Sequence, residues 1–138
     1  KRIRDKEQID FLIAVVDIND LKMVNDTYGH EYGDKLIQNG ASILKKVWGS
    51  DYTYRVGGDE FVIVYSDMDM ECAKERLSLF EEAIEDYNRQ NKCEKTYLRM
   101  AIGTAVFSSE TDKEYMDVFR RADSAMYEDK KQKKMKSK

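Results

Sequence analysis

Phe11, Leu12, Ile13, Ala14, Val15 and Val16 form an unbroken apolar run that stops at Asp17. A run this short cannot span a bilayer, which takes ~20 apolar residues, and it lacks the polar positions of a surface helix. It reads as a strand buried on both faces, which obliges the rest of the chain to supply a covering layer on each side. The material is available: the 138 residues are 41% hydrophobic and 37% charged, with nine Tyr and five Phe. That length and balance predict a single domain over 1–138, with one core under a charged surface.

The charge is nearly balanced, 24 Lys and Arg against 27 Asp and Glu, so no global basic field points to nucleic acid or an anionic membrane. No stretch is long enough to be a membrane span, and Lys1 to Asp10 is charged rather than leader-like. Cys72 and Cys93 lie in no CxxC or Cys/His pattern and read as free thiols of a cytoplasmic protein.

Leu36, Ile37, Ala41, Leu44, Val47 and Trp48 recur at helical spacing, predicting a core-facing helix from Lys35 to Trp48 after a loop that contains Gly29 and Gly33. Tyr52 to Val56 and Phe61 to Tyr65 are β-rich and flank Gly57-Gly58-Asp59-Glu60, a hairpin pattern. Ala73, Leu77, Phe80, Ile84 and Tyr87 lay one stripe along a long helix with acidic outer faces. Tyr97 to Phe107 reads as a strand in which Gly103 marks a bulge or a close backbone approach. Tyr115, Phe119, Ala122 and Met126 mark a last helix, which runs into a basic tail, Lys130 to Lys138, expected to be frayed. A hairpin inside an otherwise alternating chain predicts an α+β fold, with helices packed on a mixed or mainly antiparallel sheet.

Asp17 ends the buried strand, and Asp59 and Glu60 sit in the hairpin turn. If the hairpin pairs beside the first strand, these carboxylates meet at one sheet edge. Clustered carboxylates repel unless a cation lies among them, and Mg²⁺ takes oxygen ligands while leaving room for phosphates. The pattern points to metal-assisted phosphoryl chemistry, with Gly57 and Gly58 allowing close approach to the main chain. There is no GxxxxGK, GxGxxG or EF-hand loop. Acids on the hairpin, where an RNA-reading sheet would carry aromatics and bases, also argue against nucleic acid.

The runs Asp17-Ile-Asn-Asp-Leu-Lys-Met-Val-Asn-Asp-Thr-Tyr-Gly-His30, Gly33-Asp34, Tyr54-Arg-Val-Gly-Gly-Asp-Glu-Phe61 and Arg121-Ala-Asp-Ser-Ala-Met-Tyr127 closely resemble the GGDEF domain of bacterial diguanylate cyclases, in family order and spacing over about residues 10–131. The resemblance implies a palm-like fold related to nucleotidyl cyclases and the condensation of two GTP into cyclic di-GMP by a homodimer. It implies that Asp17, the carbonyl of Ile18 and Asp59 hold Mg²⁺ (Mn²⁺ the alternative) with Glu60 close by, and that Asp59 activates a 3′-hydroxyl. Lys22, with the backbone of Asp20 and Leu21 at a helix start, would meet the triphosphate. Asn25 and Asp34 would read guanine, His30 would lie on the substrate side, and Lys130 and Lys134 would contact phosphate.

Some positions depart from the family's pattern. Lys134 stands for a usual Arg, Lys133 for a usual Gly, and Trp48 for the Arg of the product-inhibition motif Arg-x-x-Asp, of which Asp51 remains. The Leu-Thr-x-Leu-x-Asn-Arg motif that precedes the family's first strand is not in this chain, which is expected to be trimmed of a sensor or dimerisation region. The other reading of the sequence is a catalytically weak module that binds GTP or a partner as a regulatory domain.

Overall fold

The computed structural model describes residues 11–136, with side chains as far as Lys133. Its strands are β1 (Leu12–Ile18), β2 (Thr53–Arg55), β3 (Glu60–Tyr65) and β4 (Met100–Val106). Its helices are α1 (Leu21–Tyr28), α2 (His30–Trp48), α3 (Met70–Gln90) and α4 (Tyr115–Lys136). The strands form one antiparallel sheet in the order β2-β3-β1-β4. The α+β expectation therefore holds, and every residue of β1 is buried, as its apolar run requires.

Side chains alternate across a strand, so β1 feeds two cores. Leu12, Ala14, Val16 and Ile18 pack with Leu36, Leu44 and Trp48 of α2 and Phe80 and Ile84 of α3. Ile13 and Val15 face the other way, against Val118, Ala122 and Met126 of α4. The same parity puts Asp17 on the α4 side, and this decides what the carboxylate meets. Asp69 caps α3 by accepting from the Cys72 N–H at 2.9 Å, and Arg76 of α3 donates to the Val47 carbonyl at 2.6 Å, binding α3 to the end of α2.

Two expectations need correction, and one open alternative is decided. The segment between β1 and the hairpin holds two helices joined at Gly29, whose φ of +107° is one that L side chains rarely adopt. Gly33 accordingly lies inside α2, not in a loop. Of the two readings of Gly103, the close backbone approach holds and the bulge does not: it pairs in regular register with Val15, and α4 crosses directly over it. The basic tail is helical through Lys136, because side chains near its start have specific work on the β4 edge. Lys133 donates to the Met100 carbonyl at 2.7 Å, Asp129 accepts from the Ile102 N–H at 2.9 Å, and Arg121 donates to the Val106 carbonyl at 2.7 Å. An otherwise open strand edge is thereby covered by one helix.

Candidate active site

The end of β1 and the turn between β2 and β3 come together as the hairpin pattern predicts. Asp17 lies directly opposite Glu60 in the β1/β3 register. The Ile18 N–H donates to the Asp59 carbonyl at 2.9 Å, closing the turn against β1. Arg55 braces the turn from outside, donating to the carbonyls of Gly57 at 3.0 Å and Gly58 at 2.9 Å. Cross-strand partners share a sheet face, so Asp17 and Glu60 both look toward α4.

There Asp17 meets a cation. The Lys130 ammonium donates to Asp17 Oδ2 at 2.7 Å in a largely buried pair. The other oxygen, Oδ1, is buried without a hydrogen-bond partner among the described residues. Burial raises the Asp17 pKa above the ordinary carboxylate value, Lys130 opposes this, and the neighbouring Asp59 adds to it. The Glu60 carboxyl is also raised, by burial first and then by Asp123, Asp17 and Asp59. The cluster thus carries more negative charge than Lys130 alone balances. Among the described residues no His, Cys, Asp and Glu groups are gathered tightly enough to enclose an ion as they stand. Nevertheless the donor set is all oxygen and includes a buried acceptor with no partner, which suits a hard divalent cation.

This imbalance makes a prediction. A folded-state pKa above the unfolded one means that Glu60 lowers stability as pH rises through its raised value, whereas below the unfolded value of about 4.3 both states are protonated and the effect vanishes. Glu60→Gln in metal-free protein should therefore melt slightly higher than the parent at pH 7, by about 2 °C given the screening of a partly exposed group. The gap should close below pH ~4. Melting curves at the two pH values test this, and a lower melting point for the variant at pH 7 would contradict it.

The remaining predicted residues lie on α1, α2 and α4. Asp20 stands at the N-cap position of α1 with φ 64°, a left-handed conformation uncommon for a non-glycine residue; its side chain makes no capping hydrogen bond, and its carboxylate accepts from Arg99 at 3.2 Å. Leu21, buried, begins α1, and Lys22 is exposed and paired with Asp26 at 2.8 Å rather than turned into the carboxylate cluster. Asn25 lies where α1 meets Gly33 of α2; Asp34 is exposed immediately after that glycine, and His30 is exposed at the start of α2. The Lys134 side chain lies outside the described residues.

Asp123 went unassigned by sequence reasoning. It lies seven positions before Lys130 on α4 and acts on Glu60; the signal was this two-turn spacing, which places both on one helix face. Asn19, buried with an unpartnered Oδ1 among the described residues, is the other. Trp48 is fully buried and inclined against Tyr65, whose hydroxyl donates to the Trp48 carbonyl.

Comparison with known proteins identifies the family. The family model "Diguanylate cyclase, GGDEF domain" matches residues 1–136. The chain is 33% identical over 122 residues to the probable diguanylate cyclase DgcT of Escherichia coli K12, covering 87% of this chain and 27% of that protein. It thus spans about a quarter of the length of that relative. Among solved structures, the active GGEEF domain of a Vibrio cholerae diguanylate cyclase is 28% identical with a TM-score of 0.72, covering 89% of this chain and 78% of that one. The GGDEF domain of DgcB from Caulobacter crescentus, solved in complex with c-di-GMP, is 27% identical with a TM-score of 0.73, covering 89% of this chain and 73% of that one.

Proposed function

Because the chain belongs to the GGDEF family of diguanylate cyclases, we propose that it condenses two GTP into cyclic di-GMP and two pyrophosphates, one GTP bound on each subunit of a homodimer. The observation that carries this reading is the pairing of Asp17 with Glu60 beside Asp59 on the α4 face. A cyclic dinucleotide needs each 3′-oxygen in line with the other nucleotide's α-phosphorus. A twofold axis between two half-sites meets that need with a single set of residues.

Asp17, the Ile18 carbonyl and Asp59, with Glu60 beside them, would hold Mg²⁺, or Mn²⁺ in its place. That ion, when bound, supplies Lewis-acid charge at the phosphates and the hydroxyl. The Asp59 carboxylate takes the proton of the 3′-hydroxyl as its oxygen bonds to phosphorus, and pyrophosphate leaves from the same phosphorus. Lys130, at present on Asp17 Oδ2, turns to the triphosphate charge, joined by Lys22, Lys134 and the main chain of Asp20 and Leu21 at the start of α1. Asn25 and Asp34 read guanine, the carboxylate accepting from N1–H and N2–H₂ and the carboxamide meeting the acceptors, while His30 flanks the substrate.

Guanine reading is checked by equilibrium binding of GTP and ATP. The parent is expected to prefer GTP, and Asp34→Ala to lose GTP affinity by ~1–3 kcal/mol, the cost of unpaired donors. Equal binding of both nucleotides by the parent would overturn this assignment. Feedback through the Arg-x-x-Asp position is not expected, since Trp48 is buried in the core and its neutral indole cannot replace a bidentate cation. Titration with cyclic di-GMP should show no tight binding dependent on Asp51. Micromolar affinity lost in Asp51→Ala would contradict that expectation.

A further inference from the structure

The seat of Asn25 is built by the absence of a side chain. A Cβ placed on Gly33 would lie 1.7 Å from Asn25 Oδ1, 2.7 Å from its Cγ and 3.3 Å from its Nδ2. The first two distances are shorter than real Cβ contacts allow. Oδ1 is buried and has no hydrogen-bond partner among the described residues, so no hydrogen bond at that atom fixes the amide; shape does. Gly33 is itself buried within α2, where a glycine is conformationally costly compared with alanine. Its place there is explained by the carboxamide that lies against it.

We propose that Gly33 is a specificity-positioning residue, whose missing Cβ lets the Asn25 carboxamide lie on α2 in the orientation that reads guanine. The inference rests on the assignment of Asn25 to guanine and extends it to a residue that contacts no substrate. Its physical core is a contrast in what must yield. At Gly33 the obstructed atoms are the end of a short side chain with two torsions, which can swing away without moving backbone. A methyl group at this position should therefore leave the fold intact and displace only the reader.

The test is a double-mutant cycle of Gly33→Ala and Asn25→Ala, read by GTP and ATP binding, thermal melting and the Asn25 side-chain amide signal in an NMR spectrum. Gly33→Ala is expected to melt at or above the parent temperature, to shift the Asn25 amide signal, and to lose about tenfold in GTP affinity with ATP affinity unchanged. In the Asn25→Ala background the same substitution should cost GTP affinity less than about twofold, since coupled residues are not additive. Three results would overturn the proposal: parent-like GTP binding by Gly33→Ala when Asn25→Ala has lost it, an equal loss in both backgrounds, or a melting temperature well below the parent's. Parent-like GTP binding by Asn25→Ala would instead sink the guanine assignment beneath it, a distinct result.

Discussion

Asp59→Ala is expected to abolish cyclic di-GMP formation, by at least about a thousandfold, while the protein keeps its fold. Removing a group that stabilises developing charge or moves the reacting proton costs factors of this order. The fold should survive because Asp59 is only half-buried, and what ties its turn to β1 is its backbone carbonyl, which accepts from Ile18 whatever the side chain. Its loss also removes a negative neighbour from Asp17, whose carboxyl is raised in part by that charge. Product assay and circular dichroism together check both halves of the expectation. Turnover near the parent's would contradict the role given to Asp59.

Gly103→Ala is expected to destabilise severely, by about 3 kcal/mol or more, the upper end for overpacking in a close-packed core. A Cβ there would sit 2.1 Å from the Met126 nitrogen and 2.2 Å from the Ala122 carbonyl oxygen, both backbone atoms of α4. Backbone cannot rotate aside as a carboxamide can, so α4 must lift from β4. Doing so would expose Ala122, Val118 and Met126 and pull Lys130 from Asp17. Thermal melting should show a fall of about 10 °C or more. A fall of a degree or two would mean that α4 does not hold the distance from β4 described above.

The two glycines show which parts of this molecule are readable from a string of residues. Gly103 advertised itself, an unexplained glycine in a β-rich run, and close approach was one of its two readings; the sequence could not say that α4 was the approaching element. Gly33 was misplaced in a loop because glycine is a common turn residue, and only the packing of α1 on α2 reveals why a helix would keep it. The apolar run of β1, the hairpin and the stripes of α2, α3 and α4 were legible because each is a local pattern with one period. Helix α1 was legible only through the family resemblance, which puts a helix start at Asp20 and Leu21; its buried positions are only Leu21 and Val24, too few to set a period.

The site divides along the same line. Asp17, Asp59 and Glu60 could be brought to one edge by strand pairing, which depends on parity and a turn. Asp123 and the grip of Lys130 on Asp17 depend on how α4 crosses the sheet, and the charge balance of the cluster depends on both. Lys133 had no legible role, yet it bridges Glu81 at 3.1 Å and Asp129 at 3.0 Å while holding the Met100 carbonyl. The start of the basic tail thus ties α4 to α3 and to the edge of β4.

The most direct test of the account is product analysis. The chain is fused to a constitutive dimeric coiled coil so that half-sites can meet, then incubated with GTP and Mg²⁺, and the nucleotides are separated by chromatography. The account predicts cyclic di-GMP accumulating with two pyrophosphates for each molecule formed, and none from the Asp59→Ala dimer. A parent dimer that binds GTP with Mg²⁺ yet forms no cyclic di-GMP would contradict it.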